Sequence, residues 1–141
     1  MQPMRGGPII IIDDDEDDRA LLVNSVGSTS FANQLRIFKN GADALTYLAE
    51  TTDQPFIILC DIKMPRMDGL ELQEAISKNE RLRKKSIPFV FVTGSADKAE
   101  VERAYYRSVQ GFFTKPTSVE EWHDLIEMVL RYWAACRHPN A

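Results

Sequence analysis

The chain has 141 residues, enough for one domain and not two. Its 44% hydrophobic and 27% charged residues exclude a low-complexity or disordered class, and no apolar run approaches the ~20 residues needed to cross a bilayer. The net charge is −4, but residues 13–18 read Asp-Asp-Asp-Glu-Asp-Asp, and taking those six acids away leaves +2. The acidity is therefore local. With no basic stripe, the chain is a poor candidate for direct nucleic-acid binding.

In chain order, residues 1–8 carry no apolar segment of signal-peptide length and read as a disordered lead-in. Ile9–Ile12 is the first predicted strand, followed by Asp13 and Asp14. A helix marked by Leu21, Leu22 and Val26 comes next. Leu35–Phe38 is a second strand, and its Arg36 suits an edge position. Ala44, Leu45 and Leu48 mark a second helix. Phe56–Cys60 is a third strand, ending at Asp61; Asp68-Gly69 then opens a helix with Leu72, Ala75 and Ile76. Phe89–Val92 is a fourth strand, ending at Thr93. Ala99, Val101 and Ala104 weakly mark a fourth helix. Gly111–Thr114 is a fifth strand, ending at Lys115-Pro116. Trp122, Leu125, Ile126, Val129, Leu130 and Trp133 then recur at helical spacing, with Ser118 as the predicted N-cap and Glu121 completing a capping box. The pattern stops after Trp133, so residues 134–141 read as a tail and 9–133 as the domain. Cys60 lies within an apolar run and reads as a small buried hydrophobe. Two cysteines and no signal segment point to a reducing, cytoplasmic setting.

Strand followed by helix, five times over, predicts an α/β fold with a parallel sheet. Strands apolar at every position imply helices on both faces, a doubly wound three-layer sandwich. Ligands of such sheets bind beyond the carboxyl ends of the strands. Those ends carry Asp13, Asp14, Asp61, Thr93 and Lys115. Clustered carboxylates repel one another, and a hard divalent cation such as Mg²⁺ removes the conflict. Mg²⁺ uses only one or two carboxylates, which leaves Asp61 free to attack a phosphoryl donor and form an acyl phosphate. The metal and a lysine can neutralise the charge on the transferred group, and the Thr93 hydroxyl can hydrogen-bond one of its oxygens.

From Pro8 to Trp133 this pattern resembles the receiver domain of two-component response regulators. The resemblance rests on Ile9–Asp14, on Ile58-Leu59-Cys60-Asp61-Ile62-Lys63-Met64-Pro65-Arg66-Met67-Asp68-Gly69, on Phe91-Val92-Thr93-Gly94 and on Gly111–Pro116. It implies a flavodoxin-like (βα)5 fold with strand order 2-1-3-4-5. It further implies Asp61 as phosphoacceptor, and Mg²⁺ held by Asp14, Asp13, Asp61 and the backbone carbonyl of Lys63. Lys115 would pair with the phosphoryl group, its peptide bond to Pro116 would be cis, and Thr93 and Phe112 would be the switch residues. The implied partners are a sensor histidine kinase or phosphotransfer protein and a downstream protein target, with a homodimer as one form of output. The implied output surface is formed by the fourth helix, fifth strand and fifth helix. No output domain follows Trp133, so a stand-alone receiver is expected, and the long last helix ending in Tyr132-Trp133 loosely resembles small regulators paired with phytochrome-type kinases. Lys63 and Ser95 stand two residues after the phosphoacceptor and the switch threonine, and a cation at the first is expected to alter phosphoryl lifetime. Two rivals are a receiver that signals without phosphorylation and a Mg²⁺-dependent phosphohydrolase of the haloacid dehalogenase type. The second would need an aspartate where Lys63 stands.

Overall fold

The structure is a computed structural model that describes residues 7–137. Strands β1 (Ile9–Ile12), β2 (Leu35–Phe38), β3 (Ile57–Cys60), β4 (Phe89–Thr93) and β5 (Gly111–Thr114) form one parallel sheet in the order β2-β1-β3-β4-β5. The helices are α1 (Glu16–Gly27), α2 (Gly41–Glu50), α3 (Gly69–Lys78), α4 (Glu80–Lys85), α5 (Lys98–Tyr106) and α6 (Val119–Ala135). The doubly wound architecture and the strand order are those expected, and Arg36 lies on an edge strand.

Successive residues of a strand face opposite sides of the sheet. Here both sides are cores. Ile9, Ile11, Ile57, Leu59, Val90 and Val92 pack with Leu22 and Val26 of α1 and with Trp122, Ile126, Val129 and Leu130 of α6. Ile10, Ile12, Ile58, Cys60, Phe89 and Phe91 pack on the other side, with Ala44 and Leu48 of α2, Leu70 and Leu72 of α3, Leu82 of α4 and Ala104 of α5. Every residue of β1, β3 and β4 is buried, which is why these strands carry no polar alternation.

The structure holds one helix more than the sequence pattern predicts. Asn79 closes α3 and also caps α4, its side chain accepting from Leu82 N–H. The predicted fourth and fifth helices are therefore α5 and α6. Arg81 of α4 donates to the carbonyls of Ala49 and Thr51 at 2.7 Å each and more weakly to Leu48 at 3.4 Å, satisfying the last carbonyls of α2.

The chain ends differ from expectation. Residues 1–6 and 138–141 lie outside the described residues, but Gly7 and Pro8 are not a loose lead-in. Gly7 N–H donates to Gln54 O at 2.7 Å, and Pro8 O accepts from Phe56 N–H at 2.9 Å, extending the pairing of β1 with β3 toward the start of both strands. Helix α6 continues past Trp133 to Ala135. Ser118 is its N-cap, accepting from Glu121 N–H, but the predicted box is incomplete. The Glu121 carboxylate accepts from the Ser118 hydroxyl instead of the Ser118 backbone N–H. Reciprocal capping boxes form at Asp68/Glu71 and Asp97/Glu100.

Candidate functional site

The backbone ladder carries the functional residues just past the strand ends. Asp13 N–H donates to Phe38 O, Asp61 N–H to Ile12 O and Lys115 N–H to Thr93 O at 2.8–3.1 Å. Asp13, Asp61, Thr93 and Lys115 are thereby brought to one end of the sheet, and Asp13, Asp61 and Thr93 are buried. The Lys115 ammonium reaches Asp61 Oδ2 at 2.9 Å, Asp13 Oδ2 at 2.9 Å and Asp18 Oδ2 at 2.7 Å. Only the bonds to Asp61 and Asp18 are aligned as hydrogen bonds. Among the described residues, Asp13 Oδ2 is thus left buried with an ion-pair neighbour but no hydrogen-bond donor.

Local structure fixes the carboxylates. Asp13 Oδ1 accepts from Asp15 N–H at 2.9 Å, and the Asp13 carbonyl accepts from Arg19 Nη1 at 2.9 Å. Asp15 is the N-cap of α1. Asp61 Oδ1 accepts from Ile62 N–H at 2.7 Å, which turns the chain sharply after β3. Ile62 O then accepts from Gly69 N–H at 2.7 Å, tying the start of α3 beneath the site. A side chain at Gly69 would collide with the Asp61 carbonyl and stand 2.8 Å from the Phe91 ring, so only glycine fits there.

Burial is the largest influence on Asp13. It raises the carboxyl pKa from 3.8 to about 6, and the nearby Asp61 charge adds to the rise, while Lys115 and the Asp15 N–H oppose it. Burial would lower the pKa of Lys115, but its bonds to Asp18, Asp13 and Asp61 outweigh that and raise it. Lys115 therefore stays charged.

The residues fit a hard cation. Asp13, Asp14 and Asp61 each offer a carboxylate oxygen, and these oxygens lie within 4.8 Å of one another. Asp14 is exposed, and the buried Asp13 Oδ2 has the Lys115 ammonium as its ion-pair neighbour and a lone pair left for a cation or its water. Lys63 follows in the loop with its side chain in solvent.

Two switch candidates sit farther along the same edge. The Thr93 hydroxyl donates to Ser95 O at 3.4 Å, a long contact that holds it weakly. Phe112, half-buried, lies between Phe91 at 5.7 Å and Tyr105, on which it stacks at 6.3 Å and 23°. The expected cis bond is absent: no described peptide bond is cis, and Lys115–Pro116 is trans. Trans is the lower-energy form for X–Pro, and with that bond trans the Lys115 backbone N–H donates to Thr93 O and its ammonium lies within 2.9 Å of all three carboxylates. Asp18 was not singled out from the sequence. In a run of six acids, spacing alone does not say which one turns inward, although a position one helical turn beyond Asp14 was a usable signal.

The sequence profile of the response regulator receiver domain matches residues 9–127. The probable methanogenesis regulatory protein FilR2 of Methanothrix harundinacea is 29% identical over 129 residues, covering 89% of this chain and 82% of that protein. The Regulator of RpoS of Escherichia coli K12 is 33% identical over 142 residues, and the match spans 37% of its length. In fold, the crystal structure of the phosphorylated cyanobacterial phytochrome response regulator RcpA is similar at a TM-score of 0.82, covering 93% of this chain and 96% of that one at 20% identity. Among the described residues no helix is long and apolar enough to cross a membrane. The profile spans most of the sequence and its acidic cluster, sheet order and strand-end lysine, and on that ground the chain belongs to the response regulator receiver domain family.

Proposed function

We propose that this receiver domain works as a phosphorylation switch with Asp61 as its acceptor. The observation that carries the reading is the Lys115 ammonium shared between Asp61 and two further carboxylates at the carboxyl end of the sheet. A carboxylate oxygen of Asp61 attacks phosphorus in a phosphohistidine of a kinase or phosphotransfer protein. The O–P bond forms, the P–N bond breaks, and the imidazole keeps the electron pair. Lys115 moves a hydrogen bond from the carboxylate to a phosphoryl oxygen, and the Thr93 hydroxyl leaves its long contact with Ser95 O to donate to another. Asp14, Asp13, Asp61 and the Lys63 carbonyl would hold Mg²⁺, which would offset the charge of the transferred group. The exposed Lys63 side chain alters the lifetime of the acyl phosphate.

The output is a shift between two populations of the domain, biased by the new phosphoryl contacts. Phe112 of β5, three residues before Lys115, stacks on Tyr105 of α5. Tyr105 and Tyr106 are exposed at 57% and 89%, and Tyr132 of α6 at 61%, so the α5–β5–α6 side offers aromatic surface to a downstream protein or a second copy.

The test is incubation with acetyl phosphate and Mg²⁺, comparing the parent with Asp61→Asn by intact mass. The parent gains one phosphoryl group and the variant none. Undiminished labelling of the variant overturns the assignment of Asp61. A parent that takes up nothing overturns the switch and favours a receiver that signals without phosphorylation.

A further inference from the structure

The shortest contact of the Lys115 ammonium is not with a strand-end aspartate. Asp18 Oδ2 lies 2.7 Å from Nζ, against 2.9 Å for both Asp61 and Asp13. Asp18 stands in the first turn of α1, where its backbone N–H donates to the Asp15 cap at 3.0 Å. The cap thus holds the Asp18 backbone within reach of Lys115. The side chains of the pair are 26% and 12% exposed, so salt and water screen them only in part.

We propose that Asp18 is a positioning residue that competes with the phosphoryl group for Lys115. This rests on the reading of Asp61 as phosphoacceptor. The bonds from Nζ to Asp18 and Asp61, 2.7 and 2.9 Å long, bound the distance between those two carboxylate oxygens below about 6 Å. A fixed negative charge that close to the acceptor repels a dianionic donor. It also holds one of the three ammonium hydrogens that the phosphoryl oxygens would otherwise recruit. When acetyl phosphate is the donor, the Asp61 O–P bond forms, the P–O bond to acetate breaks, and acetate leaves with the electron pair. Lys115 must turn toward the new phosphoryl oxygens in that step. With Asp18 charged, the turn is contested; with a neutral residue there, it is not. Asp18 sets the ease of uptake without touching the reacting atoms.

The experiment measures phosphoryl uptake from acetyl phosphate with Mg²⁺, by intact mass over a range of donor concentrations. It uses the full chain, its Asp18→Asn, Asp18→Ser, Asp18→Glu and Asp61→Asn variants, and Asp17→Asn. Asp17 is an exposed neighbour of the same charge in the same helical turn. Asp18→Asn and Asp18→Ser should each take up the phosphoryl group about three- to tenfold faster at low donor and low salt, with a lower half-saturating concentration. The gain should shrink as salt is raised. Asp18→Glu should restore the parental rate, and Asp17→Asn should stay close to it. Asp18 variants at or below the parental rate overturn the proposal. So does an equal gain from Asp17→Asn, which would assign the effect to net charge and not to the pairing. A parent labelled on Asp61 with unmoved Asp18 variants sinks only this inference, whereas an unlabelled parent sinks the acceptor assignment and this inference with it.

Discussion

Neutralising Asp13 should make the metal-free protein more stable. Asp13 is fully buried, and its carboxyl pKa is raised from 3.8 to about 6, chiefly by that burial. Because the folded value lies above the unfolded one, the folded state binds the proton more tightly between those limits. Stability therefore falls as pH rises through the window and stays lower above it. At 1.36 kcal/mol per pKa unit, the ionised carboxylate costs about 3 kcal/mol at pH 8 and about 1 kcal/mol at pH 4.5. Asp13→Asn keeps the side-chain volume and the oxygen that accepts from Asp15 N–H; its amide nitrogen then faces the Lys115 ammonium, which must lean toward Asp61 and Asp18, so the gain is smaller than the full cost of the charge. Urea unfolding in EDTA, followed by tryptophan fluorescence, should show a midpoint shifted upward by about 1–2 M at pH 8, with an unchanged slope. The gap should narrow by more than half at pH 4.5. Saturating Mg²⁺ should also narrow it at pH 8, since the parent gains binding energy that the variant largely lacks. A variant no more stable than the parent at pH 8 without metal, or a gap indifferent to pH, would refute the desolvation argument.

Two further substitutions test the framework that holds the site. Gly69→Ala drives a methyl against the Asp61 carbonyl and the Phe91 ring; it should lower stability by about 1–3 kcal/mol in the same urea assay and slow phosphoryl uptake, because relief requires the Asp61 backbone to shift. Arg81→Ala removes donors to the last carbonyls of α2; it should lower stability by about 1–2 kcal/mol in thermal unfolding while leaving uptake unchanged.

The strands β1, β3 and β4 were legible because each is a short, almost wholly Ile, Val, Phe or Leu run ended abruptly by a residue of another character: Asp13, Asp61 or Thr93. The sheet's two cores explain the continuous apolarity, and Arg36 marked an edge. Helix α4 was not legible. It is six residues long and buries one side chain, Leu82, so it shows no helical period. Asn79 followed three residues later by Leu82 was the only local signal, a cap without a stripe. At the site, the identities of Asp13, Asp14, Asp61, Thr93 and Lys115 followed from their shared position at strand ends. The inward turn of Asp18 did not, because it depends on the direction of α1 and the reach of Lys115 from a strand three places away from β1 in the sheet. The bond geometry at Pro116 was equally closed to sequence, since Lys-Pro permits both isomers.

Gly69 and Gly94 flank the pocket with opposite mechanical character. On the α3 side, glycine is wedged so tightly against the Asp61 carbonyl that a methyl group has no place. On the β4 side, a Cβ at Gly94 would meet nothing nearer than Lys115 Cδ at 3.9 Å. One wall is a stop and the other has slack. The two sides therefore differ in what they accept: a side chain at Gly69 must displace the Asp61 backbone or the Phe91 ring, whereas one at Gly94 meets only the stem of Lys115.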